Sequence, residues 1–194
     1  MAKALNLPNM LSLSRIFLAP IVMLLLTLKI GVTVPGLSHY GVTVGDALAG
    51  LVFILASVTD AVDGYIARSR GLITNFGKFV DPLSDKVLVV AALLALVELG
   101  RIPGWMVMVI ITRDFVVSGL RMAAATAGTV IAASKLGKLK TVTQIVAIVM
   151  LIFHFPYAMV VTWISVILTL WSGLDYLYNG WDLIVDAEPE HSNS

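Results

Sequence analysis

The chain has 194 residues, 59% of them hydrophobic and only 13% charged, with a formal net charge of +1 and no cysteine; its mean hydropathy is +0.96. Soluble domains run nearer roughly 45–50% apolar and about 25% charged, so the composition points to a membrane protein, and the length allows one compact domain without a separate soluble enzyme. The near-neutral charge gives no field for nucleic acid, and the lack of cysteine excludes disulfides and thiolate metal sites.

In chain order, MAKALNLPNMLSLSR does not read as a secretory signal: an arginine interrupts it and no small-residue cleavage site follows a short apolar core. A bilayer core asks for about 20 mostly apolar residues per helix. Six segments qualify: Pro8–Ile30, Val44–Arg68, Phe79–Leu99, Pro103–Ala127, Leu136–Phe155 and Tyr157–Leu177. Pro20 is a candidate kink in the first. The Gly-rich 31–45 stretch, with Pro35, reads as a connecting loop, and Leu99–Gly104 and His154-Phe155-Pro156 read as tight turns. The expected fold is all-α, a polytopic six-transmembrane-helix bundle over residues 1–185, followed by a polar tail, 186–194, expected to be disordered.

Lysine and arginine set the orientation. Lys3, Arg15, Arg68, Arg70, Lys78, Lys86, Lys135, Lys138 and Lys140 fall on one side, and Lys29 and Arg101 on the other. The rich side is expected to be cytoplasmic, with both termini inside. The acidic stretch TDAVDGYIARSRGLITNFGKFVDPLSDK, Thr59 to Lys86, then joins the second and third helices at the cytoplasmic face of the cell membrane.

That stretch carries Asp60, Asp63, Asp81 and Asp85. Asp60 and Asp63 are three apart, so they share a helix face, with Gly64 and Ala67 on the same stripe. Gly77, Asp81 and Asp85 step by four, again one face if helical. Asp60 lies about 12 Å along the helix from Arg68, below the interface, where an unpaired carboxylate is expensive. Four neighbouring carboxylates repel one another and call for cations between them. Carboxylates without His or Cys suit Mg²⁺ or Mn²⁺, and two such metals can bridge a diphosphate. Arg68 is placed to contact a phosphate through its planar fork. Plainer readings stay open: Asp81 before Pro82 as an N-cap, Asp60 and Asp63 paired with Arg113 or Arg121, and Asp85-Lys86 as interfacial decoration.

The same residues resemble the signature of the CDP-alcohol phosphotransferases, D-x2-D-G-x2-A-R-x8-G-x3-D-x3-D, with every spacing intact at Asp60, Asp63, Gly64, Ala67, Arg68, Gly77, Asp81 and Asp85. The resemblance implies that an alcohol attacks the lipid-side phosphorus of a CDP-activated lipid and that CMP leaves. It implies metal ligation by Asp60, Asp63 and Asp81, with Asp85 as the base and a further metal contact. It places Asp60, Gly64, Ala67, Arg68 and Gly77 around the CDP, and it implies a homodimer. NLPNMLSLSR (Asn6–Arg15) and SKLGKLKTVTQ (Ser134–Gln144) resemble the phosphatidylglycerophosphate synthase branch of that family, whose acceptor is glycerol 3-phosphate and whose lipid donor is CDP-diacylglycerol.

Arg113 and Arg121, about two turns apart on the fourth helix, join Lys135, Lys138 and Lys140 as a second basic cluster, which favours an acceptor that carries its own phosphate. The positive-inside rule alone accounts for the three lysines but poorly for Arg113. The branch usually has Glu after the first of these arginines; here it is Asp114, with the charge kept and the reach shortened. Such an enzyme is expected to have a cytoplasm-facing polar cavity open sideways to the bilayer. His39, His154 and His191 are expected to be uninvolved, and Trp163, Trp171, Tyr176, Tyr178 and Trp181 to be interfacial anchors or core. Competing readings are the same chemistry on another acceptor such as inositol phosphate, an intramembrane Mg²⁺-dependent prenyltransferase, and a cation transporter.

Overall fold

The computed structural model describes residues 7–28, 32–69, 75–126 and 134–185. Among them the chain forms six α-helices: α1 (Leu7–Thr27), α2 (Val44–Ser69), α3 (Asn75–Glu98), α4 (Gly104–Thr126), α5 (Lys135–Ile152) and α6 (Ala158–Val185). The α1–α2 connection holds a short 3₁₀ turn at Ser38–Tyr40 and an isolated bridge between Thr33 and Thr43. All six predicted segments exist as helices. α3 starts at Asn75, four residues before the predicted Phe79, and α6 continues to Val185, past the predicted Leu177. Pro20 lies inside α1. The 186–194 tail lies outside the described residues.

Two helices are long and apolar enough to cross a membrane by length and composition, α1 over Met10–Thr27 and α6 over Ala158–Tyr178; Val44–Thr59 of α2 is a shorter apolar stretch. Among the described residues no other helix passes that test.

α1 packs on α3 and α2, and α6 on α5 and α4. The core holds Val22, Phe53, Leu93, Leu96, Met106, Ile110, Ile148 and Ile152. Gly45 lets α2 approach α1: a Cβ there would stand 2.5 Å from the Leu25 carbonyl oxygen. Large apolar side chains also face outward, among them Phe17, Leu55, Leu94, Met108, Val142 and Leu174, one from each helix, while Ser12, Arg15, Asp46, Lys140, Gln144 and Thr169 are buried. Extensive outward apolar surface marks a face that meets a membrane or another protein.

One end of the bundle is fastened by caps and an ion pair. Thr43 and Asp46 form a capping box on α2. The Asp46 N–H donates to Thr43 Oγ1 at 3.1 Å, and Asp46 Oδ2 accepts from the Thr43 N–H at 3.0 Å. α3 ends in a Schellman turn, with Gly100 at φ 69°, Arg101 N–H bonded to the Leu96 carbonyl and Gly100 N–H to that of Val97. α5 ends the same way through Phe155 to Met150 and His154 to Leu151, with His154, at φ 54°, in the place glycine usually takes. These turns deliver Arg101 to Asp46 at 2.7 Å and to the Ile152 carbonyl at 3.1 Å.

Asp46 is 1% exposed, so Arg101→Ala strands a buried charge and is expected to cost about 3–5 kcal/mol, read as a lowered Tm in detergent micelles. His154 sits in the turn beside this pair. Burial and the Arg101 charge hold its imidazole below the ordinary 6.5, outweighing Asp46 Oδ2 at 3.7 Å. The unfolded chain therefore takes up that proton more readily than the fold. Stability carried by neutral His154 is complete above pH 6.5 and is lost as pH falls through its lower folded value. His154→Gln should flatten that slope in a Tm-against-pH series.

Candidate active site

Helical backbone runs through every position of the acidic signature. Asp60, Asp63, Gly64, Ala67 and Arg68 lie on α2, and Gly77, Asp81 and Asp85 on α3. Each aspartate pair is thus about one turn apart on its own helix, and α2 contacts α3. The N-cap reading of Asp81 does not hold, because α3 begins at Asn75 and Asp81 is inside it. The side chains of these eight residues lie outside the described residues, so the polar cavity expected among them does too. Among the described residues no three His, Asp or Glu side chains gather to hold a metal. The backbone places the four aspartates on two helices that contact each other, and carboxylate oxygens are the donor type that Mg²⁺ or Mn²⁺ takes.

The turn of α3 that carries Asp85 is fastened to α4. The next residue, Lys86, hydrogen-bonds Ser118 Oγ and lies 5.6 Å from the centroid of the Phe115 ring. One turn along α4 are Arg113 and Asp114. Lys86, Asp114 and Gln144 line one small cavity where α3, α4 and α5 meet.

Arg113 is the centre of the described site. Its stem crosses α6 at Gly173, where a Cβ would stand 3.0 Å from Arg113 Cγ. Its head lies over the Tyr176 ring, 5.6 Å from the centroid, and beside the first turn of α5, where a Cβ on Gly137 would be 3.9 Å from Nη2. Ser134 caps that turn, accepting from the Gly137 N–H at 3.0 Å, and its own N–H donates to the Tyr176 hydroxyl at 3.1 Å. Nη1 of Arg113 is 3.3 Å from Asp114 Oδ1. Nε and Nη2 are buried and have no hydrogen-bond partner among the described residues. Those two nitrogens form one edge of the guanidinium, with parallel N–H groups that match two oxygens of a phosphate.

The five cations predicted for the acceptor separate here. Arg113 is 13% exposed at its side chain. Arg121, Lys135 and Lys138 are exposed. Lys140 is buried, and its Nζ binds both oxygens of Asp114, at 2.5 Å and 2.7 Å. Arg113, Asp114 and Lys140 therefore form one ionic unit joining α4 to α5. The shorter reach of Asp114 is enough for both contacts.

Four further residues had no site role assigned from the sequence, although Gly137 and Gln144 lie in the Ser134–Gln144 stretch. Gly173 and Tyr176, three apart on α6, share the face that carries Arg113; Tyr176 is core, as expected, but also site. Gly137 permits the close approach of α5. Gln144, one turn after Lys140, is 4% exposed and its Nε2 has no partner among the described residues. A cavity of about 580 Å³ opens between α4 and α6, lined by residues including Met108, Val116, Leu170, Leu174 and Arg113, the last its only charged group among the described residues. This cavity is separate from the polar one expected near the acidic signature, which lies outside the described residues.

The CDP-alcohol phosphatidyltransferase family profile matches residues 5–171. Relatives include a CDP-diacylglycerol–glycerol-3-phosphate 3-phosphatidyltransferase of Bacillus subtilis (strain 168), 43% identical over 187 residues, covering 92% of this chain and 97% of the relative. A probable phosphatidylglycerophosphate synthase of Mycobacterium tuberculosis (strain H37Rv) is 38% identical over 181 residues, covering 91% of this chain and 82% of the relative. A further phosphatidyltransferase of the first name, from Rickettsia typhi (strain Wilmington), is 34% identical over 180 residues, covering 88% and 94%. Since the matched region takes in the acidic signature, Arg113 and the first turn of α5 alike, the chain belongs to the CDP-alcohol phosphatidyltransferase family.

Proposed function

We propose that the protein transfers the phosphatidyl group of CDP-diacylglycerol to glycerol 3-phosphate, giving phosphatidylglycerophosphate and CMP. The observation that carries the acceptor is Arg113: a buried guanidinium whose Nε–Nη2 edge has no protein partner among the described residues, set one helical turn from the residues that touch Lys86. A cation that deep needs an anion. Glycerol 3-phosphate brings one and an unphosphorylated alcohol does not. The capped N-terminus of α5, with Lys135 and Lys138 beside it, adds favourable field for the same group. The apolar α4–α6 cavity is suited to an acyl chain. The names of the relatives agree with this reading.

In this mechanism Asp60, Asp63, Asp81 and Asp85 would hold Mg²⁺ or Mn²⁺, which when bound neutralises diphosphate charge. Arg68 grips the CDP phosphates. Arg113 holds the acceptor phosphate and so aims its free hydroxyl. Asp85 takes the hydroxyl proton as the oxygen bonds to the lipid-side phosphorus, and the bond from that phosphorus to the CMP oxygen breaks. The proposal includes six membrane crossings, with both termini and the site cytoplasmic. The outward apolar residues on all six helices and the one-sided lysines and arginines support it. The homodimer belongs to the same proposal and rests on the family resemblance.

Purified protein with Mg²⁺ or Mn²⁺, CDP-diacylglycerol and glycerol 3-phosphate should release CMP, and chelation should stop it. Inositol phosphate and glycerol in place of glycerol 3-phosphate should be poor acceptors. Release of inorganic diphosphate instead would indicate a prenyltransferase, and cation flux without nucleotide a transporter. Asp85→Asn should lower kcat by roughly 10²–10⁴-fold; an unchanged rate would remove it as the base. Arg113→Gln should raise KM for glycerol 3-phosphate at least tenfold while leaving KM for CDP-diacylglycerol within about twofold.

A further inference from the structure

We infer that Asp114 and Lys140 are positioning residues for the acceptor: as one ion pair they fix the Arg113 guanidinium so that its Nε–Nη2 edge is presented to the acceptor's phosphate. This rests on the acceptor reading above and reassigns Lys140, which the sequence pattern had placed in the acceptor's basic cluster.

The geometry separates the roles. Lys140 is 2% exposed and both carboxylate oxygens of Asp114 lie within 2.7 Å of its Nζ. An ammonium held this way has little left to offer a ligand. Asp114 Oδ1 is shared: it also faces Arg113 Nη1 at 3.3 Å. The carboxylate thus occupies the one nitrogen of the guanidinium that a side-on phosphate would not use. Without Lys140, Asp114 would be free to turn and take the Nε–Nη2 edge itself, in the bidentate pairing that Arg and carboxylate favour. Lys140 keeps it from doing so by claiming both oxygens. Gly173 and the Tyr176 ring fix the stem and the plane from the α6 side. The acceptor's affinity therefore depends on a lysine and an aspartate that need not touch it.

The test is steady-state kinetics on detergent-purified variants that remain monodisperse, varying each substrate separately. Asp114→Asn and Lys140→Met should each raise KM for glycerol 3-phosphate about tenfold, with KM for CDP-diacylglycerol within about twofold. The double variant should be no worse than the worse single, because the two act as a unit. Asp114→Glu, which keeps the charge, should stay within about threefold of the parent. If both single variants keep the parent's acceptor KM while Arg113→Gln raises it, the positioning role is wrong and Arg113 still binds the phosphate. If Arg113→Gln also leaves that KM unchanged, the acceptor reading itself fails, and this inference with it. If both KM values rise together, the pair is merely structural and the inference is overturned. Should the single variants not yield folded protein, the double variant decides, because it removes the pair without stranding a charge. A several-fold rise confined to acceptor KM supports the inference, and an unchanged KM overturns it.

Discussion

A lysine that is 2% exposed inside a bundle whose outer face is apolar must have a carboxylate, and the fold is arranged to give it one. The Lys140–Asp114 pair ties α5 to α4. Arg113 joins it, so two cations and one anion are buried together at the junction of three helices. Breaking one partner of such a pair leaves an uncompensated charge, worth about 3–5 kcal/mol. That penalty favours the rotation of α5 that keeps Lys140 turned toward Asp114. The unit also carries an excess positive charge, and one edge of Arg113 has no protein group to receive it among the described residues. In the proposed function, the acceptor's phosphate is the group that completes this charge balance.

The bundle has a second ionic fastening at its other end, where Asp46, Arg101 and the α5 carbonyl at Ile152 meet. The two differ in their chemistry. Asp46 has its oxygens satisfied by Arg101 and by its own capping box, so nothing is left for a ligand. The Arg113 unit is held as firmly but is incompletely paired. Lys86, bonded to α4 through Ser118, links the incompletely paired end to the α3 turn that carries Asp85. The α3 turn with Asp85 and the Arg113 unit are thus tied through α4, which suits the positioning that the proposed reaction requires.

Much of this was legible in the sequence because long apolar runs and Gly-Pro punctuation mark helices strongly. The ends were read less well. A span is defined by hydropathy, but a helix is not, so α3 reaches back through Asn75-Phe76-Gly77-Lys78 and α6 runs on through Asn179, Gly180 and Asp182. The eight-position acidic signature was legible through its resemblance to a family pattern, and both halves do lie on helices. Lys140 misled for a physical reason. The positive-inside pattern counts lysines by loop and cannot see which way a helix is turned. The signal lay in its register: Lys140, Gln144, Ala147, Ile148 and Leu151 form the inward stripe of α5. The Asp46–Arg101 pair joins residues far apart in the chain and could not be foreseen, although the Thr43-x-x-Asp46 capping box could have been.

The central claim is tested most directly by a high-resolution structure of the protein with glycerol 3-phosphate bound. The account places two phosphate oxygens at about 2.7–2.9 Å from Arg113 Nε and Nη2, with Lys140 still on Asp114. A phosphate seated instead on Lys135 and Lys138, with the Arg113 edge turned to a carboxylate, would contradict it.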